Sequence, residues 1–483
     1  MNGPAGTSPR KPSVGLALVP VMVLIGLLAL SYLLFHDSAA LGPNQVALAV
    51  AAMVAYWVGR RCGQSGDDLR DAGVHGVSTG ISAIFILLAV GALIGTWAMS
   101  GTLLSMVYYG LKLLQPNYLY MSSCLICAVV ALSIGSSWTV AGTIGIGLIG
   151  VTQRMGLDPA ITAGAVISGA YFGDKSSPLS DTANLACAAA GSQLYDHVRE
   201  SLWTSLPALL LALAAFWMLG SPGDFDASGT LEALRGLHTP SLLHFLPLAL
   251  VLALAMLRWP PATTIMLGAL AGGLLAVISA PDRVIAFAAA PELPTGLGLL
   301  KGVWQAMATG FVSKTAVGPV DQLLTRGGMS SMMGTIWLII SALGFGGIAE
   351  KAGVLDVLIT PLIDRARSTG ALITTLIGSC FATNVLASDQ YIAIVLPGRM
   401  FRAAFERRGL SPVVQSRALG DSATVTSPLI PWNSCGAYMA AALGVGTLSY
   451  LPYAIFNIAN PLISIAFGVL GLRMLRSGDR SEP

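Results

Sequence analysis

The stretch "GAYFGDKSSPLSDTANLA" (residues 169–186) places Asp174, Lys175 and Asp181 inside a region of otherwise apolar, helix-like sequence. Of the 483 residues, 54% are hydrophobic and 10% are charged, and the mean hydropathy is +0.74. Soluble domains carry a charge on roughly a quarter of their residues. The composition therefore excludes an ordinary soluble protein and indicates a polytopic membrane protein, in which three clustered charges need an explanation.

Apolar segments recur along the chain. The uncharged run from Val14 to Phe35 is long enough to cross the roughly 30 Å hydrocarbon layer as one helix. The later segments lie at residues 45–58, 80–98, 118–134, 139–152, 160–171, 202–219, 243–257, 263–278, 334–348, 371–386 and 451–472. Several are too short to span alone, as is typical of broken helices that line an enclosed cavity. We predict an all-α polytopic membrane protein of about 10–12 helical segments, some of them discontinuous.

Two parts of the chain match each other in sequence. The ordered matches are Gly101 with Gly353, Ser136 with Ser388, "RMGLDP" (154–159) with "RRGLSP" (407–412), and Ser177-Pro178-Leu179 with Ser427-Pro428-Leu429. The loop "TQRMGLDP" has one Arg and one Asp, whereas its counterpart "GRMFRAAFERRGLSP" has four Arg and one Glu. Loops of opposite charge bias are expected on opposite sides of the membrane. We therefore predict two inverted repeats, the architecture of secondary transporters, with the substrate bound where the repeats meet.

The matches and the basic loops predict the organisation of the chain. The predicted units are an N-terminal transmembrane hairpin (1–76), a first transporter repeat (77–195), connecting transmembrane helices (196–330), and a second repeat with a C-terminal span (331–483). Lys11, Arg60 and Arg61 flank the hairpin, and Arg473 and Arg476 follow the last span. By the positive-inside rule, both termini are expected in the cytoplasm.

Buried charges mark the candidate site. A charge at membrane depth costs roughly 2.5 to 3.5 kcal/mol, so Asp174 and Asp181 in the first repeat and Asp389 and Asp421 in the second are functional candidates. Lys175 is the predicted charge-balancing partner. The nearby oxygen donors are Ser176, Ser177, Ser180, Thr182, Asn184, Thr383, Asn384, Ser388, Ser422, Thr424, Thr426, Ser427 and Asn433. Such oxygen ligands suit a hard cation such as sodium, or a site that exchanges protons.

Simpler roles compete with these assignments. Asp174 and Lys175 could be loop residues at a membrane face, and Asp181 could cap the helix that follows it. Glu350 and Lys351 end an apolar segment and are expected in water. Asp389 is harder to explain away, because apolar sequence runs on both sides of it.

Four segments carry a family resemblance: "GALIGTWAMSGT", "GAYFGDKSSPLSDTANLA", "SDQYIAIVLPGRMF" and "DSATVTSPLIPWNSCGAYM" resemble signature segments of the NhaC family of bacterial sodium/proton antiporters. The resemblance extends over roughly residues 76–446. It implies an inner-membrane antiporter with inverted repeats and no cofactor besides the transported sodium ion and proton. It also implies that the broken-helix tips hold the ion, which points to Ser177, Asp181, Thr182, Asn184, Thr426, Ser427 and Asn433. The family also resembles exchangers that move malate and lactate with sodium and protons, and these motifs do not separate the two activities.

Competition at one carboxylate would produce the exchange. An aspartate in a dehydrated pocket has a pKa above its usual value of roughly 4, so a proton and a sodium ion can displace each other near physiological pH. Asp174 or Asp181 is the candidate in the first half, and Asp389 and Asp421 are those in the second.

Two other classes of protein fit the sequence less well. An intramembrane aspartyl protease would need a GxGD motif, but "YFGD" has Tyr171 where the first glycine should be. A channel fits less well than alternating access, because titratable groups accompany a duplicated pair of broken helices. We predict a secondary active transporter of the bacterial inner membrane and no enzyme activity. The predicted partners are sodium ion, proton and the lipid bilayer, without nucleic acid or a resident metal, and a homodimer is the oligomer considered.

Overall fold

The structure is a computed structural model that describes residues 10–35, 42–220, 240–313 and 327–476, and isolated residues between these ranges. The described residues form helices and connecting turns and contain no β-strand, as predicted. The division into four units stays a prediction, and its outer ends at residues 1–9 and 477–483 lie outside the described residues.

The described residues up to Ser176 form nine α-helices, interrupted by a π-helical turn at Ala141–Gly145. They are α1 (Val14–Phe35), α2 (Pro43–Arg61), α3 (Gly66–Thr79), α4 (Ile81–Ser100), α5 (Thr102–Leu113), α6 (Leu119–Ile134), α7 (Ser137–Val140), α8 (Ile146–Arg154) and α9 (Pro159–Ser176). A helix break follows. The next helices are α10 (Asp181–Ala190), α11 (Leu194–Met218), α12 (Leu246–Met256), α13 (Pro261–Ser279), α14 (Pro281–Ala288) and α15 (Thr295–Thr309).

The last part of the chain has a helix break of its own. Its helices are α16 (Met333–Lys351), α17 (Val354–Arg365), α18 (Thr369–Leu386), α19 (Gln390–Arg407), α20 (Pro412–Leu419), α21 (Ser434–Leu443), α22 (Thr447–Tyr450) and α23 (Ile455–Leu470). A π-helical turn, Gly420–Thr424, extends α20, and a 3-10 turn, Ser427–Leu429, lies in the break before α21.

Long apolar helices confirm the membrane prediction. Seven helices of the described part are long and apolar enough to cross a membrane. The count rises to eight if Thr447–Tyr453 and Ile455–Leu470, which meet at 56°, form one bent span. The first of the seven has the predicted bounds, Val14–Phe35.

The two predicted repeats share their helix boundaries. Glycines with left-handed backbone lie at equivalent helix ends: Gly101 (φ 84°) with Gly353 (φ 77°), and Gly191 (φ 79°) with Gly444 (φ 69°). Asp158 caps α9 and Ser411 caps α20, each through its side-chain oxygen and each just before a proline. This combination favours helix initiation. Helices α10 and α21 have the same length, 10 residues.

Helix α23 shows the relative direction of the two repeats. Its contacts, in chain order, are Phe456 N with Ser168 Oγ (3.3 Å), Asn460 Oδ1 with Lys175 Nζ (3.3 Å), Asn460 Nδ2 with Asp421 Oδ1 (2.8 Å), and, beyond its end, Leu475 O with Ser411 N (2.9 Å). From the start of α23 to its end, the contacted residues have rising numbers in α9 and falling numbers in α20 and its π-helical turn. The two equivalent segments therefore run in opposite directions and meet beside Asn460, consistent with the predicted inversion. The two-fold axis itself stays a prediction.

Glycine allows close backbone contact between α3 and α16. A Cβ atom on Gly76 would lie 2.4 Å from the backbone oxygen of Leu343 and 3.2 Å from the backbone of Gly347. Small residues at such crossings let membrane helices pack by direct backbone contact. The helix that precedes the first repeat is thereby fixed against the first helix of the second.

Candidate functional site

Asp174 holds together the first helix break. Its Oδ2 accepts a hydrogen bond from Ser137 Oγ (2.6 Å), and its Oδ1 accepts one from Ser180 Oγ (2.5 Å). Ser137 begins α7, and Ser180 caps α10. The carboxylate thus joins the ends of three helices. Asp174 and Lys175 both lie in α9 and are at most 6% exposed, so the alternative that they are loop residues at a membrane face is wrong.

A cavity of about 650 Å³ lies against this break. Asp174, Asp181 and Asp389 all line it, so carboxylates from both repeats face one space. Its other polar lining residues include Ser136, Ser137, Thr139, Thr182, Asn184, Arg258 and Gln390. Arg258 is the one Lys or Arg among the described lining residues, so ionised aspartates give the cavity a net negative charge that attracts cations.

Asp389 is placed by the start of α19. Its carboxylate accepts a hydrogen bond from the backbone N–H of Ile392 (2.9 Å) as the N-cap of that helix, and the residue is 3% exposed. The preceding residue, Ser388, has a φ of 59°, which is unusual for a residue with a side chain. This turn directs Asp389 into the bundle rather than toward lipid.

Asp181 is not the helix cap that was considered from the sequence. The N-cap of α10 is Ser180, whose Oγ accepts a hydrogen bond from the backbone N–H of Ala183 (3.3 Å). Asp181 is the first residue of the helix and is exposed toward the cavity. Thr182 also lines the cavity, and its hydroxyl lies 2.9 Å from that of Ser180. The carboxylate of Asp181 is therefore not engaged in capping.

The cavity carboxylates do not converge on one point. In the described part of the chain, no three acidic, histidine or cysteine side chains are close enough to hold a metal ion together. A cation in this cavity would therefore combine one or two carboxylates with hydroxyl, amide or backbone oxygens. Hard monovalent cations accept such a mixed oxygen set.

Lys175 and Asp421 form a second, separate group. Lys175 Nζ donates to Asp421 Oδ1 and also to Ser205 Oγ (2.6 Å). The same Asp421 oxygen accepts hydrogen bonds from Thr204 Oγ1 (2.9 Å) and from Asn460 Nδ2 (2.8 Å). Both side chains of the ion pair are at most 1% exposed, and neither residue lines the cavity. The four candidate aspartates thus divide between a cavity and a buried ion pair between the repeats.

Several predicted ligands instead stabilise the helix breaks. Asn433 Nδ2 donates to Asn384 Oδ1 (3.1 Å), and Asn384 Nδ2 donates to Thr426 Oγ1 (3.1 Å). Asn433 is also the N-cap of α21. The predicted site residues that do not line the cavity are Ser177, Asn384, Asp421, Thr426, Ser427 and Asn433. Those that line it are Asp174, Asp181, Thr182, Asn184 and Asp389.

The polar face of α11 was missed from the sequence, because that span was placed only from residue 202. It consists of five buried residues, none more than 3% exposed: His197, Glu200, Ser201, Thr204 and Ser205. Their spacing of three and four residues places them on one side of a helix. This periodicity is visible in the sequence and is the signal that could have identified them.

A buried cluster of charges lies at one end of this face. Glu200 Oε1 accepts a hydrogen bond from Arg417 Nη1 (3.0 Å), and Glu200 Oε2 accepts one from Arg473 Nη2 (2.9 Å). Arg417 is fully buried, whereas the Arg473 side chain is 38% exposed. The cluster therefore connects the interior of the bundle to its surface.

Comparison with known proteins gives several full-length relatives. A sequence profile of the Na+/H+ antiporter family matches residues 169–472. The Na(+)/H(+) antiporter NhaC of Alkalihalophilus pseudofirmus is 35% identical, over 96% of this chain and 97% of that protein. The malate-2H(+)/Na(+)-lactate antiporter of Bacillus subtilis is 33% identical, over 94% and 95%. The arginine/ornithine antiporter ArcD of Halobacterium salinarum is 34% identical, over 98% and 95%.

Proposed function

The chain belongs to the Na+/H+ antiporter family, and on this premise we propose that it exchanges sodium ions for protons across the bacterial inner membrane by alternating access. The observation that carries the proposal is the cavity at the first helix break, where Asp174, Asp181 and Asp389 bring carboxylates from both repeats to one space. The family is one of transporters, which disfavours the intramembrane protease weighed from the sequence. The homodimer stays a prediction.

The cavity supplies the cation site of this mechanism. Carboxylates bind sodium together with neutral oxygens, and Thr182 and Asn184 provide such oxygens beside Asp181. Exchange also needs a group that takes up a proton when the cation leaves, and a buried aspartate can do this because burial disfavours its charged form. The bound ion then crosses as one repeat moves against the other.

The arginine-rich segments indicate the side of the membrane to which the cavity opens. The lining of the cavity includes Tyr195 and Arg258, which are both exposed. Gly191, four residues before Tyr195, lies beside the guanidinium of Arg402. Arg402 lies in the last turns of α19, in the arginine-rich segment that the positive-inside rule places at the cytoplasmic side. We infer that both termini are cytoplasmic and that this conformation opens toward the cytoplasm.

An aromatic pair is the proposed barrier on the other side. Trp138 lines the cavity and stacks on Tyr438, with ring centroids 4.1 Å apart and planes inclined by 11°. Tyr438 Oη also donates to the backbone oxygen of Trp138 (2.7 Å). The two residues come from different repeats, so movement of one repeat against the other would separate them.

The size and charge of the cavity favour a second candidate. A space of about 650 Å³ is large for a sodium ion and accommodates an organic molecule. Three aspartates against Arg258 favour a cation over a dicarboxylate such as malate. Exchange of a cationic amino acid, the activity in the name of the Halobacterium salinarum relative, is therefore the second candidate. Malate–lactate exchange stays the alternative that the lining charges disfavour.

Transport by the reconstituted full-length chain tests the proposal. Proteoliposomes with an acidic interior and an internal pH dye are exposed to sodium or to malate with lactate, and a second set loaded with ornithine is tested for uptake of radiolabelled arginine. We expect sodium to raise the internal pH and Asp389→Asn to slow this response by roughly 100-fold, because Asn cannot carry the charge that binds the cation. Asp364→Asn, at an exposed position in α17, is the matched control and should transport normally.

Two results would change the conclusion. A response to arginine with ornithine and none to sodium would replace the first candidate by the second. Wild-type rates in the Asp174→Asn, Asp181→Asn and Asp389→Asn variants would show that the cavity carboxylates are not the cation site.

A further inference from the structure

Helix α11 presents a continuous polar face that the cation cavity does not use. None of His197, Glu200, Ser201, Thr204 and Ser205 lines the cavity. Burying polar side chains at membrane depth costs free energy unless they are hydrogen-bonded, and ionisable residues there commonly mark ion or proton pathways. The polar face of α11 is therefore a candidate for a functional role in addition to helix packing.

The contacts of this face form three groups between the molecular surface and Asp421. Arg473 Nη2 donates to Glu200 Oε2 (2.9 Å). His197 lies between two hydroxyls, with Nδ1 3.1 Å from Ser416 Oγ and Nε2 3.5 Å from Ser201 Oγ. The Thr204 hydroxyl contacts Asp421 Oδ1 (2.9 Å) and the backbone oxygen of Ser201 (3.0 Å). Glu200 lies one helical turn from His197 and from Thr204. Acidic, imidazole and hydroxyl groups thus succeed one another along one side of the helix.

His197 has the geometry of a relay. Each ring nitrogen faces a hydroxyl, one from Ser416 and one from Ser201, so a neutral imidazole can accept a proton on one nitrogen and release one from the other. The ring also lies against Gly420, where a Cβ atom would be 3.5 Å from His197 Cε1 and 3.4 Å from Lys175 Cε. The imidazole therefore sits next to the Lys175–Asp421 pair.

Asp421 has room for the proton at the end of this path. Its Oδ1 is occupied by three donors, from Lys175, Thr204 and Asn460, whereas its buried Oδ2 has no hydrogen-bond partner among the described residues. A proton on Oδ2 would neutralise the carboxylate without breaking those contacts.

We propose that the polar face of α11 conducts protons between the cytoplasmic surface at Glu200 and the carboxylate of Asp421, separately from the cation cavity, with His197 as the relay. The proposal rests on the proposed function, and it assigns the sodium ion to the cavity and the proton to the path that ends at Asp421. A proton taken from water crosses the one-turn gaps between these three groups by way of intervening water, passes through the His197 imidazole and neutralises the Asp421 carboxylate, and no electron moves. The charged groups facing this path are Lys175 from α9, Asp421 and Arg417 from α20 and its π-helical turn, Arg473 beyond α23, and Glu200 on α11 itself.

Two transport modes of the same proteoliposomes separate a proton route from a structural role. Sodium/proton exchange needs the route, whereas exchange of radiolabelled sodium for unlabelled sodium at equal pH needs only the cation site. We expect Thr204→Val and His197→Gln to slow sodium/proton exchange by roughly 100-fold. We expect both variants to keep sodium/sodium exchange and the sodium concentration for half-maximal rate near wild-type values. Thr204→Ser, which restores the hydroxyl, should recover sodium/proton exchange.

Controls make the outcomes decisive. Thr374→Val removes a hydroxyl that donates to Gly370 O (2.8 Å) on the exposed side of α18, and His75→Gln changes an exposed histidine of α3; both should leave the two modes intact. Loss of both modes together in Thr204→Val and His197→Gln, or retention of both, would overturn the proton route. Absence of sodium/proton exchange in the wild type would instead overturn the proposed function.

Discussion

Removing the charge of Lys175 tests the ion pair that joins the two repeats. The Lys175→Met substitution keeps the length of the side chain but leaves Asp421, which is fully buried, without its cation. Loss of one partner of a buried ion pair costs about 3 to 5 kcal/mol. Asp421 keeps its hydrogen bonds from Thr204 (2.9 Å) and Asn460 (2.8 Å), so we expect the lower end, a loss of about 3 kcal/mol in the free energy of unfolding.

The double variant Lys175→Met with Asp421→Asn isolates the charge. Asn has nearly the shape of Asp and carries no charge, so the uncompensated buried carboxylate is gone. Replacing both partners of a buried pair by neutral groups is often close to neutral in stability. We expect the double variant to regain about 2 kcal/mol relative to Lys175→Met. The two single losses should therefore be non-additive, as is usual for residues in contact.

An exposed ion pair provides the matched control. Lys11 Nζ lies 3.4 Å from Asp356 Oδ2, with 70% and 45% of the two side chains exposed, so Lys11→Met should cost less than about 1 kcal/mol. Unfolding can be followed by tryptophan fluorescence in detergent micelles titrated with sodium dodecyl sulfate. The reasoning would be refuted if Lys175→Met were as stable as wild type, or if the double variant lost the sum of the two single losses.

Two further substitutions test helix packing and the Glu200 cluster in the same unfolding assay. Gly76→Ala should cost about 1 to 3 kcal/mol, because its Cβ would lie 2.4 Å from Leu343 O. Gly26→Ala should be neutral or stabilising, because no atom of the described residues would lie within 4 Å of its Cβ. Equal stability of the two variants would contradict the backbone contact. Glu200→Gln should cost about 3 kcal/mol, because it leaves Arg417 buried without a carboxylate; an unchanged unfolding midpoint would mean that Arg417 finds another partner.

Sequence pattern was sufficient wherever one segment determines its own structure. The span Val14–Phe35 was predicted to the residue, because an uncharged apolar run of this length has one stable arrangement in a bilayer. The helix breaks followed from Pro178 and Pro428, since proline removes a backbone donor. The equivalence of the repeats was predicted from ordered matches, and the paired left-handed glycines at helix ends are consistent with it.

The start of α11 could not be obtained in this way. The residues "LYDHVRES" that open it have the composition of a surface loop, so the span was placed only from Leu202. Whether Glu200 is solvated or buried depends on Arg417 and Arg473, which lie more than two hundred residues farther along the chain. Only the folded bundle brings these partners together, so local hydropathy cannot recognise a buried charged helix end.

The grouping of the aspartates also depended on tertiary structure. The sequence supplied Asp174, Asp181, Asp389 and Asp421 as one set, because each is a charge in apolar surroundings. Helix orientation separates them: three face the cavity, and Asp421 faces Lys175. Likewise, amide and hydroxyl oxygens counted as cation ligands, such as Asn433, turned out to cap and join helix ends, which is the other common use of the same atoms.

The position of Asp174 next to Lys175 explains how two separate sites can drive antiport. The two residues are consecutive in α9, yet the Asp174 carboxylate contacts Ser137 and Ser180 at the cavity, whereas the Lys175 ammonium contacts Asp421. A sodium ion beside Asp174 and a proton on Asp421 would each add one positive charge. At an effective dielectric constant of about 20 and a separation on the order of 10 Å, two such charges repel by roughly 1.7 kcal/mol. Each substrate would therefore weaken binding of the other by more than about 10-fold. Mutual exclusion of this kind favours a carrier loaded with either the sodium ion or the proton. Exchange requires such single loading, whereas cotransport requires both substrates to be bound together.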